Sequence, residues 1–538
     1  MLRRALGLCI VLGASACVGD VDGGTAGPRG TGVGGPPPTS TATAPIRPSS
    51  VRRLGQLEYD NAVNDLLGTT GHPSAGFAGD ARIGGYTTSG DLRVDAVLGD
   101  QFRIAAESLA TEAVTSHRGD VVPCSDTDPA CPATFVSTIA TRAFRRPVTT
   151  EETNALLAVF RVAADGATFD DGANAVLQAI LQSASFLYVP QIGVGSGMRS
   201  LDAYETASAM SFLLTAAPPD RALLDAAASD GLRTASQREA QARRILAEDP
   251  RARRQVTRFV REWLGMDNLE NVARTAESGD FVALRPAMEE ETQRFVEAVI
   301  FDGDGRFESL LTADFTFADG TLAAFYGLGG SDSSWARRDL SGSGRRGILT
   351  QAAFLAAHAR SDSSSPVKRG VTLLSRIFCT PIPLPTGETA RRAMMDPPDA
   401  TTTRGRFEQH SRDATCAACH SRIDPMGFGF EHFDQIGAYR SEENGVPVDA
   451  TGTLVGTDVD GPFATVDQLV TRISQSERAH TCLARNVYRF ASGSLDSGPE
   501  EAFLRRWSAL PADRRTSLVE ILVALVTSDE FVQRTETP

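Results

Sequence analysis

Thr149-Thr150-Glu151-Glu152-Thr153-Asn154-Ala155-Leu156-Leu157-Ala158-Val159-Phe160-Arg161-Val162-Ala163-Ala164 is the stretch whose reading decides the fold class. Thr149 followed by Glu152 three residues later is a capping box. Each side chain satisfies a backbone N–H that the first helical turn leaves without an intrahelical acceptor. With Pro147 just upstream, this predicts a helix running through about Ala164. The same device recurs at Ser236 to Glu239 and at Thr465 to Gln468. Leu54, Leu57, Val63, Leu66 and Leu67 fall at helical spacing and Gly68 stops them. Further helical runs lie near 99–116, 172–188, 202–216, 250–264, 286–301, 346–358, 366–378, 479–491 and 514–527. Strand signal is sparse and concentrates around 436–462, where Asn444-Gly445 reads as a hairpin turn. The expected fold is mainly α: a multi-domain helical protein with a small β-hairpin region near 436–462.

At 538 residues the chain exceeds one compact core. Breaks rich in Gly, Pro, Ser or charge fall near 118–132, 191–200, 328–345 and 380–402. They divide the chain into helical domains at 51–118, 119–193 and 200–328, a segment 343–445, and a C-terminal helical domain 460–535. Lys plus Arg number 53 against 67 Asp plus Glu, a net charge of −14. Without a basic block there is no electrostatic footprint for nucleic acid, and no nucleic-acid partner is expected.

The first residues read as a targeting segment. Arg3 and Arg4 precede an apolar run from Ala5 to Ala14, and 1–16 is expected to be a signal peptide. Ala14-Ser15-Ala16 suits ordinary secretory cleavage, while Ala14-Ser15-Ala16-Cys17 resembles a bacterial lipobox with Ala in place of the usual Leu. The lipoprotein reading is preferred, because Cys17 falls at the junction and a Gly/Pro/Ser/Thr tether, 17–50, follows it. A lipid on Cys17 would then attach the chain to a membrane, at the outer membrane facing the periplasm or surface; the alternative is a periplasmic protein.

Export sorts the eight cysteines. Cys9 leaves with the signal and Cys17 takes the lipid. Cys416-Ala417-Ala418-Cys419-His420 has its own chemistry, which leaves Cys124, Cys131, Cys379 and Cys482. In an oxidising compartment an even remainder suggests disulfides. Cys124 and Cys131 close a short polar loop, and Cys379 would pair with Cys482 by elimination.

The C-x-x-C-H run is the motif that carries chemistry. Two thiols three apart on one helical turn can add to the two vinyl groups of a haem, and the following histidine can ligate the iron. Cys416 and Cys419 are therefore the expected thioether positions and His420 the proximal ligand of one covalent haem c. A zinc site would need two more ligands at sensible spacing, and a redox dithiol would want a βαβ setting. Arg404 to His410 reads as a helix leading into the motif, and Asp424-Pro425-Met426-Gly427 as a turn leaving it. Phe428, Phe430 and Phe433 follow, as haem wall or as ordinary core. For the distal position the candidates in order are His410, His358, then Met394 or Met395, and Met426 last; water is the alternative. Lys368 and Arg369 could meet propionates, although a solvated helix face is the plainer reading. Glu289-Glu290-Glu291 reads as a charge cluster opening a helix, and His72, His117 and His480 as structural.

Taken in order, several segments resemble a multi-domain family of unknown function abundant in planctomycetes and myxobacteria (domains of unknown function 1587, 1595, 1592, 1588 and 1585). They are Arg52-Arg53-Leu54 through Glu58-Tyr59-Asp60-Asn61 and Asp65-Leu66-Leu67-Gly68; Ala143-Phe144-Arg145-Arg146-Pro147; Tyr204-Glu205; Trp263-Leu264; Asp314-Phe315-Thr316-Phe317; Arg346-Gly347-Ile348-Leu349; Ser365-Pro366-Val367-Lys368-Arg369-Gly370; and the haem motif through Gly437. The resemblance spans about 51–535. It implies a haem protein of the periplasm or outer surface and supplies no reaction. The chain departs from the family near its end, where Ala491-Ser492-Gly493-Ser494 lacks the usual Arg, and in having Met426 where Leu or Ile is usual.

The leading functional reading is electron transfer with an unknown redox partner. The alternatives are a peroxidase- or oxidase-like haem enzyme with an open distal position, and a surface binding lipoprotein with auxiliary haem.

Overall fold

The computed structural model describes residues 46–88, 92–275, 280–329, 333–383, 400–408 and 414–536. The signal peptide, Cys17, His410, Met394 and Met395 lie outside the described residues. Within them the chain is mainly α, with two-stranded sheets only.

Two hydrophobic cores organise the helices. The first draws on residues from Leu54 to Val189 together with Phe212, and packs Gln56–Leu67, Ala96–Ser116, Cys131–Phe144, Thr150–Ala164 and Phe169–Leu181. Thr149 caps as expected: its hydroxyl accepts from Glu152 N at 3.1 Å, and the Glu152 carboxylate accepts from Thr149 N at 2.9 Å. Arg146 adds a bidentate pair to the same carboxylate at 2.7 and 2.9 Å. An antiparallel pair, Ser50–Arg53 against Tyr188–Gln191, brings together the two ends of this core in the register Ser50↔Gln191 to Arg53↔Tyr188.

The second core draws on Tyr86 and on residues from Leu201 to Phe531, and takes in the haem-motif segment. Leu518–Thr527 is apolar almost all round because it is buried almost all round, packed against Ala235–Glu248. No helix among the described residues is long and apolar enough to cross a membrane.

Both expected disulfides are present, Cys124–Cys131 and Cys379–Cys482. The second bridges a separation of 103 residues, and closing a loop of that length removes about 4–5 kcal/mol of chain entropy from the unfolded state. The Asn444-Gly445 hairpin also forms, with both residues at positive φ (51° and 79°) between Glu442–Glu443 and Val446–Pro447.

Four local readings need correction. The tether ends before residue 50, since Ser49 N donates to Thr535 O and Thr535 N to Arg47 O, both at 2.8 Å. The capping box placed at Ser236 is two residues earlier: Thr234 caps and Gln237 reciprocates, which leaves Arg238 buried and donating to the carbonyls of Val526 and Thr527. The three glutamates do not open a helix, because Asp280 caps Phe281–Ile300 and they sit in its middle. Asp424 to Gly427 is not a turn: the motif helix continues through Pro425 to Gly427.

Candidate haem-attachment helix

Cys416, Cys419 and His420 lie on the helix Ala414–Gly427. Residues three and four apart share a helix face, so the two sulfurs and the imidazole fall on one side. Both cysteines are half-buried and stay outside the two disulfides. One turn beyond His420, the carboxylate of Asp424 lies 2.9 and 3.1 Å from imidazole Nδ1, with its side chain 1 % exposed. A carboxylate only accepts, so Nδ1–H donates and the ring's lone pair is on Nε2. This is the arrangement that orients a metal-ligating imidazole and raises its basicity.

The helix is clamped by backbone contact. A Cβ on Gly370 would stand 2.1 Å from the Ile423 carbonyl oxygen, and one on Gly427 would stand 1.9 Å from that of Pro366. Only glycine at both positions lets Pro366–Thr372 lie directly against the motif helix. Gly452 approaches the Pro425 carbonyl in the same way, at 2.0 Å. This third contact presses a strand of the Gly452–Leu454/Gly461–Phe463 hairpin onto the helix end.

Arg369 fixes the loop that follows. It is fully buried and donates to the carbonyls of Phe430, Phe433 and Asp434 at 2.9, 3.0 and 2.8 Å. Buried Glu431 accepts from Ser364 Oγ at 2.9 Å and from Arg440 at 3.0 Å, and lies 3.8 Å from Arg369. Arg369 is thus neither a solvated residue nor a surface cation, whereas Lys368 is exposed and donates to the Ala359 carbonyl at 2.8 Å. Phe430 and Phe433 are core. Phe428 instead lines a 630 Å³ cleft beside Pro425, with the Arg404 guanidinium 4.4 Å over its ring.

The two distal candidates within the described residues are committed elsewhere. His358 places Nε2 2.7 Å from the Leu264 carbonyl and Nδ1 3.2 Å from the Thr372 hydroxyl, and burial pushes its imidazole down to about 4. Met426 is wholly buried in the second core.

Sequence reasoning missed two groups. Asp424 stands four residues after His420, a spacing that signals a same-face partner. Glu291 is wholly buried, accepting from Thr316 Oγ1 and from the Tyr326 hydroxyl, each at 2.6 Å; desolvation pushes its carboxyl up to about 7. Tyr326 passes the contact on, since its oxygen accepts from Ala352 N at 2.8 Å. Nothing in the spacing of three adjacent glutamates distinguishes the inward one.

Family models match four stretches: PSD3, protein of unknown function (DUF1587), over 52–115; PSD5 (DUF1595) over 131–190; PSD4 (DUF1592) over 201–328; and PSCyt3 (DUF1588) over 345–443. The last contains the motif helix and the Pro366–Thr372 helix that clamps it. No match emerges among curated proteins or solved structures. Four of the five expected domains are thus found, in the expected order along one chain, and the protein belongs to the planctomycete-type multi-domain family of unknown function that they define.

Proposed function

We propose that this chain carries one haem c, joined through Cys416 and Cys419 and ligated by His420, and that it transfers electrons outside the cytoplasm, held to a membrane by a lipid on Cys17. The observation that carries the reading is the His420–Asp424 pair on the helix that also bears the two sulfurs. A histidine oriented by a buried carboxylate has the hydrogen-bond partner that metal-bound imidazoles use. Zinc finds less support: among the described residues no three His, Cys, Asp or Glu side chains converge to hold a metal ion. The other four cysteines of the folded part are consumed in disulfides, which agrees with an oxidising compartment and leaves the C-x-x-C pair for different chemistry.

Bound haem supplies a one-electron iron couple. The residues around it supply position and electrostatics. Gly370, Gly427 and Gly452 hold the helix rigidly, Asp424 sets the tautomer of His420, and Arg369 pins the following loop. Protein made with c-type maturation machinery is expected to give a pyridine haemochrome spectrum of the c type and to keep its colour through acid–acetone extraction. Colour lost to the solvent would overturn the assignment.

A second reading, a haem enzyme with an open distal position, draws support from the commitment of His358 and Met426 elsewhere. The electron-transfer reading then relies on His410, or on Met394 or Met395. His410→Ala is expected to convert a low-spin spectrum to high-spin with haem still attached. A wild-type spectrum that is already high-spin would favour the enzyme.

A further inference from the structure

The stretch around Arg47 and the strand Gln533–Thr535 meet beside a small internal cavity rich in arginine. It has a volume of about 20 Å³, room for one or two water-sized particles. Its polar lining includes the guanidinium groups of Arg47, Arg52 and Arg534 and a single carboxylate, that of Glu58. Arg52 already holds that carboxylate bidentately, at 2.6 and 2.7 Å.

Arg47 and Arg534 have no carboxylate within ion-pair distance among the described residues. Arg534 is 1 % exposed; it donates to the carbonyls of Phe531 and Gln533 and to Gln191 Oε1, and its Nε–H has no acceptor. Arg47, half-buried, makes one side-chain hydrogen bond, to the Ser492 carbonyl at 3.0 Å. Glu205, the acid that pulls on Arg534 from farther away, is occupied by the backbone N–H groups of Ile192, Gly193 and Asp202. Tyr488 lies within electrostatic reach of both arginines, and its buried hydroxyl also has no hydrogen-bond partner.

A buried charge without a counter-charge is costly, and a buried donor without an acceptor adds to the cost. Here the Arg534 Nε–H lacks an acceptor, the Tyr488 hydroxyl lacks any partner, and the carboxylates that act on the two arginines, Asp496 on Arg47 and Glu205 on Arg534, do so from beyond ion-pair distance. A bound water would satisfy donors but leave the charge. We propose that this cavity is a site for one small monovalent anion of the halide class, held between Arg47 and Arg534. Such an ion would join the N-terminal stretch around Arg47 and the C-terminal strand Gln533–Thr535 to the central body at the point where Ser49 and Thr535 pair.

The test is thermal unfolding of the holoprotein in sodium chloride or sodium gluconate at matched ionic strength, with chloride-35 NMR line broadening as a direct readout of binding. Chloride is expected to raise the melting temperature saturably over gluconate and to be broadened by the protein. Arg47→Gln, at the half-buried wall, is expected to lose both effects while still folding. If that variant does not fold, a bromide-soaked wild-type crystal gives the same answer through an anomalous peak between Arg47 and Arg534. Equal melting in both salts together with unbroadened chloride would overturn the proposal, as would a crystal with no bromide in the cavity.

Discussion

Asp424 does most to set the character of the site, because it acts on His420 through one hydrogen bond of 2.9 Å inside a buried environment. In the proposed haem site a negative charge there would favour the oxidised iron. Asp424→Asn keeps the shape and removes the charge, and the reduction potential is expected to rise; each tenfold change in preference is about 59 mV for a one-electron couple. A titration showing no rise would mean that the carboxylate does not act on the ligand. Glu291 is the other residue whose environment dominates its chemistry. Its folded-state value of about 7 stands above its ordinary 4.5, so the folded form binds the proton more tightly than the unfolded form does. The stability this contributes is complete below about pH 4.5 and is lost as pH rises through 7. Glu291→Gln is expected to flatten that part of the stability–pH curve and to stabilise the protein by on the order of 3 kcal/mol above pH 7. Urea unfolding at pH 5 and pH 8 measures it, and an unchanged difference between wild type and variant at the two pH values would contradict it.

At the scale of elements, local rules were legible where local chemistry decides and failed where packing does. Thr149 and Asn444-Gly445 do what their side chains and backbone preferences dictate, while Thr465 caps its helix without closing a box, since Gln468 accepts from Ala464 N instead. Pro425 does not end its helix, although it removes a donor. The close contacts of Gly370 with Ile423 and of Gly427 with Pro366 hold the last turn in place, and tertiary contact of that kind leaves no periodic signal. Arg369 was misread for the same reason: its partners are carbonyls around 430–434, far along the chain. The clamp makes a direct prediction. Gly370→Ala forces a methyl into the Ile423 carbonyl and is expected to cost about 1–3 kcal/mol, the usual range for overpacking. Gly71→Ala, which would meet nothing within 4 Å, serves as the control and is expected to be nearly neutral. Equal midpoints for the two variants in urea would show that the helices can separate without penalty.

Over the whole molecule, the motif helix packs into the large second core. The Cys379–Cys482 bridge and the Trp263 indole, which donates to the Arg376 carbonyl at 2.7 Å, tie the region just before it to the central and C-terminal helices. The sequence made the motif, the helical class and both disulfides legible, the first two and Cys124–Cys131 resting on composition or short spacing and Cys379–Cys482 on the elimination of the other cysteines. It could not reveal that the helices would gather into two cores, since that depends on which faces meet. The family match adds membership without a reaction, and the function rests on the site. The most direct test is the intact mass of the mature protein made with c-type maturation machinery. The account predicts the mass of the processed chain with its two disulfides plus one haem, and that mass should persist after denaturation. A denatured chain carrying no haem, with Cys416 and Cys419 still alkylatable, would contradict it.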